Sequence, residues 1–207
     1  MNQLKLSVAV SFYGILPALM ILAGVALFLR AGQIAAGKRQ DESAVKRNRQ
    51  ITGLVLALLL IYMVTYICLT FVFRRTVTAQ PRAKLQPFWS YRAAFQSNFR
   101  IRRLGLVRDI VLNILLTVPL GLLLPLLFHK KKHPYLLTAI LTVSLTLLTE
   151  SLQYITHLGW FETDDLINNT LGCFLGLLVI SSGTVILRKV LTGHAFRRQE
   201  SHPEEAL

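Results

Sequence analysis

Five apolar runs divide the chain, over residues 6–29, 51–73, 109–128, 135–156 and 166–187. Each reaches the roughly 20 residues a helix needs to cross a bilayer, so each predicts a spanning helix. The apolar pattern breaks between the last two. The stretch Thr149 to Gly176, TESLQYITHLGWFETDDLINNTLGCFLG, carries Glu150, Gln153, His157, Glu162, Asp164, Asp165, Asn168 and Asn169. Such side chains are costly in or beside a membrane and normally face a bundle interior or a water-filled cavity. They also fall into register. Glu150, Gln153 and His157 are spaced 0, 3 and 7 and share one helical face. Asp165, Asn169, Gly172 and Gly176 are spaced 0, 4, 7 and 11, which puts them within an arc of roughly 60°. The pattern predicts two adjacent helices whose polar faces confront each other where their ends meet.

The remaining segments read as follows. The first run contains Gly14, Pro17 and Gly24, is preceded only by Lys5, and predicts a retained span ending at Arg30. Residues 31–50 are polar and basic and predict a connector at headgroup level. The second run holds Tyr62 and Tyr66 one turn apart and stops at Arg74 and Arg75. The stretch 74–108 carries nine Arg and Lys with Pro81 and Pro87. Within it Phe88, Tyr91, Phe95 and Phe99 recur at 0, 3, 7 and 11 among Arg92, Arg100, Arg102 and Arg103. That spacing predicts an amphipathic helix over 85–104 lying in the interface; a loop with scattered aromatics is the alternative. In the third run Pro119 removes a backbone hydrogen bond and predicts a kink, whose freed carbonyl a neighbouring span must satisfy. HKKKH (129–133) is a tight basic turn, and Pro134 opens the fourth span. Trp160 and Phe161 suit an aromatic belt, and Asp164 and Asp165 suit the positive start of the last helix. The polar tail from Arg188 is expected to be mobile. No internal repeat is visible.

Composition sharpens this to an all-α polytopic membrane bundle. Of 207 residues, 53% are hydrophobic and 16% charged, and the mean hydropathy is +0.51. Too few charges remain to coat a soluble domain of this size. The net charge of +13 would raise nucleic acid as a partner in a soluble protein. Here the basic residues flank apolar spans, so the expected partners are membrane lipids with anionic headgroups, not nucleic acid. Cys68 and Cys173 lie inside predicted spans without metal-site spacing and read as buried fillers. Five spans place 13 basic residues on the side of 30–50, 129–133 and the tail, against 10 on the other. The positive-inside rule then points the N-terminus, the aromatic stretch and the acidic turn 157–165 outward.

Glu150 and Asp165 are the sharpest chemical candidates. Two carboxyl groups held close in a low-dielectric site repel, and one that kept its proton would serve as a general acid. They could instead hold a divalent cation with Gln153 and Asn169 assisting, or simply fasten two helix ends by hydrogen bonds. Gly172 and Gly176 form a small-xxx-small face suited to close helix packing. His157 reads as a solvated interfacial residue, and His129 and His133 as headgroup contacts beside three lysines. No cofactor motif, histidine metal pair, nucleophile signature or phosphate loop is present.

Four pieces in order resemble the VanZ-like family of small bacterial membrane proteins: LQPFWS (85–90), NILLTVPLG (113–121), TESLQ (149–153) and DDLINNTLGCFLG (164–176). They match the family's Pro-Phe segment, its Asn-x(5)-Pro-x-Gly span, its Glu-x-x-Gln helix end and its Asp-x(3)-Asn-x(2)-Gly-x(3)-Gly helix. The family often has Phe two residues before that Pro, where this chain has Thr117. The resemblance covers about 85–180 and implies a helical bundle in the bacterial cell membrane. It divides the chain into an N-terminal pair of spans (1–75), a VanZ-like membrane domain (76–187) and a polar tail (188–207). Its matched positions give a binding set of Asn113, Glu150, Gln153, Asp165 and Asn169, and a packing set of Pro119, Gly121, Gly172 and Gly176. The family's namesake is associated with low-level teicoplanin resistance. The resemblance thus implies an influence on glycopeptide susceptibility, through a polar recess that takes a lipid-linked wall precursor or an envelope enzyme. The alternatives are a membrane-embedded enzyme acting on a lipid or isoprenoid-linked substrate through Glu150 and Asp165, and a purely structural membrane subunit.

Overall fold

The computed structural model describes residues 19–26, 42–72 and 82–201, with side chains described over 19–26, 49–72 and 82–183. The first expected span lies outside these apart from residues 19–26, which are helical (α1). Helix α2 runs Glu42–Ile67 and continues as a π-helical turn, Cys68–Val72. A two-residue strand β1 (Ala83–Lys84) precedes a short helix α3 (Trp89–Gln96). Helix α4 is Arg100–Leu127, α5 is Pro134–Ile155, β2 is Phe161–Glu162 and α6 is Thr163–Ser201. Among the described residues four helices, in Arg49–Val72, Arg100–Leu127, Pro134–Ile155 and Thr163–Gly183, are long and apolar enough to cross a membrane. The chain is an all-α integral membrane protein.

Burial is inverted relative to a soluble protein, as hydrocarbon solvent requires. On α5 the buried side chains are Thr138, Thr142, Thr146, Thr149, Glu150 and Gln153, whereas Leu136, Ile140, Leu147, Leu148 and Ile155 are exposed. Lipid tails are as apolar as leucine, so nothing drives those leucines inward; polar groups go inside because only there do they find partners. The apolar core forms instead where α1, α2 and α4 meet, around Met20, Val55, Leu59, Tyr62, Leu116, Leu120 and Leu123.

Helices α4 and α6 pack with backbones in contact. A Cβ on Gly172 would collide with the Ile114 carbonyl and the Thr117 hydroxyl, and one on Gly121 with the Cys173 carbonyl. A Cβ on Gly176 would meet the Val118 carbonyl and stand 2.8 Å from Gly121 Cα. Only glycine fits this seam, and dispersion between close backbones drives it. Pro119 sits inside α4 at the same level. The Tyr62 hydroxyl donates to the Leu116 carbonyl at 2.9 Å, a bond from α2 to α4 just before Pro119.

Three expectations about boundaries are corrected. The aromatic repeat 85–104 is not one helix: α3 ends at Gln96, and α4 begins at Arg100, earlier than residue 109. Phe88 is the left-handed N-cap of α3 and Phe99 the extended N-cap of α4, so neither lies on the face the spacing suggested. Helix α6 continues to Ser201, beyond residue 187 where the last apolar run ends. The free cysteines are placed as expected of fillers, Cys173 buried and Cys68 partly so.

Candidate functional site

The end of the bundle reached by α2, α5 and the starts of α4 and α6 gathers the polar residues. Two short connections cross there. Strand β1 pairs in parallel with β2, Ala83 opposite Phe161 and Lys84 opposite Glu162. Lys84 Nζ lies 3.5 Å from the Trp89 ring centroid and 4.0 Å from that of Trp160, and 3.3 Å from Glu162 Oε1. Two indole faces and a carboxylate thus hold one half-buried ammonium in a cation–π arrangement.

Helix α3 is held by the first turn of α6. Asp164 is buried and accepts the Phe88 and Ser90 amides, the latter at 2.8 Å, together with the Ser90 hydroxyl. It caps α3 from another helix, since no residue of α3's own start supplies a cap. Phe88 adopts φ 59°, a conformation unfavourable for a bulky side chain; the bond from its amide to Asp164 helps to hold it. One turn on, Asn168 accepts the Tyr91 hydroxyl. Burial first, and then the Asp164 charge, raise the Tyr91 pKa above its ordinary value and keep that hydroxyl a donor.

The face of α6 that carries Asp165, Gly172 and Gly176 turns to α4, with Asn169 at its edge. Asn113 Nδ2 donates to Asp165 Oδ1. The Thr117 hydroxyl donates to the Asn169 carbonyl at 2.5 Å. Where the family often has Phe, Thr117 is small enough to sit beneath Gly172 and polar enough to bond α6. Glu150 and Gln153 have partners on other elements. Glu150 Oε2 accepts the Glu162 amide at 3.0 Å, and Gln153 Nε2 donates to the Thr70 carbonyl at the end of α2, also at 3.0 Å. The polar faces thus also draw in elements beyond these two helices. Asn113 of α4 is a partner of Asp165, while the loop before α6 and the end of α2 are partners of the α5 pair. Tyr66 adds a bond from its hydroxyl to Thr149 at 3.1 Å.

The two carboxyl groups nonetheless lie at one depth. The Thr142 hydroxyl lies against the Cys173 thiol, which fixes the register of α5 against the returning α6. Glu150 is eight residues above Thr142 and Asp165 eight residues from Cys173 in the same direction, each about 12 Å along its helix. Glu150 is 2% exposed and Asp165 6%. Around α6, at roughly 100° per residue, Asp164 and Asn168 flank α3, Gly172, Asp165 and Gly176 face α4, and Asn169 and Cys173 turn toward α5.

Not every polar atom is matched. Gln153 Oε1, Asn169 Oδ1 and the Thr142 hydroxyl are buried without a hydrogen-bond partner, as is Trp89 Nε1 at the rim. Buried unpaired polar atoms are rare and call for an explanation. Among the described residues no cluster of three His, Cys, Asp or Glu suits a metal ion. Sequence reasoning missed the roles of Asp164, Asn168, Ser90 and Tyr91. The one sign of them is that Asp164 and Asn168 repeat at i, i+4 beside the Asp165/Asn169 pair. His157 takes φ 59° just beyond the end of α5, an ordinary helix-terminating conformation.

A family model described as VanZ/LLP1 matches residues 54–188. The chain belongs to the VanZ/LLP1 family. The match includes most of α2, which the four motif pieces left out, and takes in α3 to α5 and much of α6. No curated protein and no solved structure matches the chain. The VanZ-type bundle thus has its motif residues in two groups. Gly121, Gly172, Gly176 and Pro119 build the α4–α6 seam, while Asn113, Glu150, Gln153, Asp165 and Asn169 sit at its polar end.

Proposed function

We propose that this VanZ-type membrane protein modulates susceptibility to glycopeptides of the teicoplanin type, by binding a lipid-linked wall component or an envelope partner in the recess around Glu150, Gln153, Asp165 and Asn169. The observation that carries the reading is the pair of buried amide oxygens, Gln153 Oε1 and Asn169 Oδ1, left unpaired beside two buried carboxyl groups. A cluster that served assembly alone would spend such atoms, because each unmatched buried acceptor costs about 1–3 kcal/mol. The clasp of Trp89, Lys84 and Trp160 and the basic segment from Arg92 to Arg103 lie at the same end, where a lipid headgroup arrives. The charge distribution of the loops favours this end facing outward.

The test is the pair Glu150→Gln and Asp165→Asn, which keep size while removing charge. Expressed in a susceptible bacterium, the unmodified chain is expected to change the inhibitory concentration of teicoplanin. Each variant is expected to accumulate normally and to lose that change. Full retention by both would remove the site from the account. The observation that Asn113, Thr117 and Gln153 commit their donors to helix contacts favours a second, structural reading. It predicts that the same variants lose accumulation and phenotype together.

A further inference from the structure

Outside the recess, the same end of the bundle exposes a surface that mixes phenylalanine with arginine. It forms where α3 gives way to α4. Ser90 and Ala94 are the buried side chains of α3, which leaves Arg92 and Phe95 on its opposite side. Phe95, Phe99 and Ile101 are 81%, 77% and 88% exposed. Arg92, Arg100, Arg102 and Arg103 are exposed among them. Exposed phenylalanine is ordinary in a chain surrounded by lipid; uncompensated charge beside it is not.

The arginines have no counter-ion within the described protein. Lys84 is paired with Glu162 at 3.3 Å and Arg108 with Asp109 at 2.8 Å. Glu150, Asp164 and Asp165 are buried. The first turn of α4 holds no acidic residue. Arg92 donates to the Pro87 carbonyl at 3.0 Å, which leaves its charge unbalanced. Among the described residues Arg100, Arg102 and Arg103 make no ion pair at all.

Depth decides what meets them. Asp164 and Asn168 hold α3 beside the first turns of α6, where the apolar run 166–187 begins. On α4 the exposed side chains change within one turn from Arg100, Arg102 and Arg103 to Leu104, then Val107 and Val111, the Arg108–Asp109 pair apart. Such a change marks the edge of the hydrocarbon and sets the guanidinium groups level with lipid phosphates. A dissolved anion would answer the arginines and leave the phenyl rings in water. A phospholipid answers both.

We propose that this corner binds anionic phospholipid of the surrounding leaflet. Arg100, Arg102 and Arg103, with Arg92 beside them, take the negative headgroup. Phe95, Phe99 and Ile101 lie along the glycerol and the upper acyl chains. A zwitterionic lipid is held less well, because its phosphate brings its own cation.

The chain has two tryptophans, Trp89 and Trp160. Both stand at this end, so their emission reads this surface and not the basic turn 129–133. The full chain is reconstituted in phosphatidylcholine vesicles containing an equal fraction of either phosphatidylglycerol or phosphatidylcholine brominated on its acyl chains, and quenching is compared. At low salt the glycerol lipid is expected to quench as though enriched at least about fivefold, the effect of about one basic residue at an anionic surface. The preference should fade as salt approaches about 1 M. Arg100→Gln, Arg102→Gln and Arg103→Gln combined are expected to abolish it and to leave unfolding in uncharged detergent unchanged. Lys130→Gln, Lys131→Gln and Lys132→Gln combined remove the same charge from the opposite end and are expected to keep it. Equal quenching by the two lipids in the unmodified chain overturns the inference. So does a preference that survives the arginine variant, or one lost equally in the lysine variant. Should the arginine variant fail to accumulate, the lipid comparison on the unmodified chain and its salt dependence decide. None of these side chains belongs to the recess, which the Glu150 and Asp165 variants judge separately.

Discussion

Helix α6 is gripped on two sides, and the grips are built from opposite materials. Toward α4 it offers glycine, and the backbones touch. The polar groups on that side are committed: Asn113 to Asp165, and Thr117 to the Asn169 carbonyl. Toward α5 the seam is threonine, amide and carboxyl, and it includes the unpaired oxygens of Thr142, Gln153 and Asn169. The first seam has nothing left to offer a ligand. The second has atoms whose burial is unfavourable until something else arrives. In hydrocarbon both kinds of seam can join helices, so polarity alone does not distinguish a fastener from a site. What distinguishes them is whether the hydrogen bonds are already made.

The strongest way to break the comparison is to crowd the glycine seam. Gly172→Ala puts a methyl group into the Ile114 carbonyl and the Thr117 hydroxyl, neither of which can retreat without moving α4. Thermal unfolding in mild detergent should show a loss of about 3 kcal/mol or failure to accumulate, at or beyond the usual cost of overpacking. Gly53 of α2 is the control, because a Cβ there meets nothing within 4 Å. Gly53→Ala should stabilise by about 0.5–1 kcal/mol through helix propensity alone. If the two substitutions behave alike, α4 and α6 are not in backbone contact.

A smaller effect is expected where α3 meets α6. Asp164→Ala leaves the Phe88 and Ser90 amides and the Ser90 hydroxyl without their acceptor. Loss of the cap and its bonds should cost about 2 kcal/mol. The signature is local. Amide hydrogen exchange over 88–96 should rise while that of α4 and α6 holds. Unchanged exchange in α3 would show that Asp164 is not what holds it.

How much of this was legible in the chain follows from the same physics. The spans were, because apolar length is read directly against bilayer thickness. The glycine seam was, because Gly172 and Gly176 keep a 3.6-residue period with Asp165 and Asn169. The burial of Glu150 and Gln153 was, because no polar side chain of α5 gains by facing lipid. Which helix each face would meet was not legible. Asp165 is next to α5 in sequence, yet it takes a bond from Asn113 of α4, because the glycines beside it admit α4 more closely than any side chain would allow. The helix proposed over 85–104 failed for a different reason. Its spacing is helical, but Ser97, Asn98 and Phe99 interrupt it. Asp164 and Asn168, 76 and 77 residues away from their α3 partners, decide where α3 is anchored. The role of Asp164 was hidden because a carboxylate in the first turn already has a sufficient local explanation in its own helix.

The finest division between the two seams lies at Thr142. Its hydroxyl is fully buried with no oxygen or nitrogen partner, whereas Thr146 and Thr149 bond back to carbonyls of their own helix at 2.9 Å. Thr142→Val replaces that hydroxyl by a methyl group of nearly the same shape. If the hydroxyl is unspent, the folded protein loses nothing, and unfolding in donor-free detergent should shift by no more than about 0.5 kcal/mol, in the stabilising direction. Thr146→Val removes a made bond and should cost up to about 1 kcal/mol. A Thr142→Val variant that loses as much as Thr146→Val would mean that the hydroxyl is already committed, to the Cys173 sulfur or to a resident water. The floor of the seam would then belong with the glycine side, as structure, and only the amides of Gln153 and Asn169 would remain for a ligand.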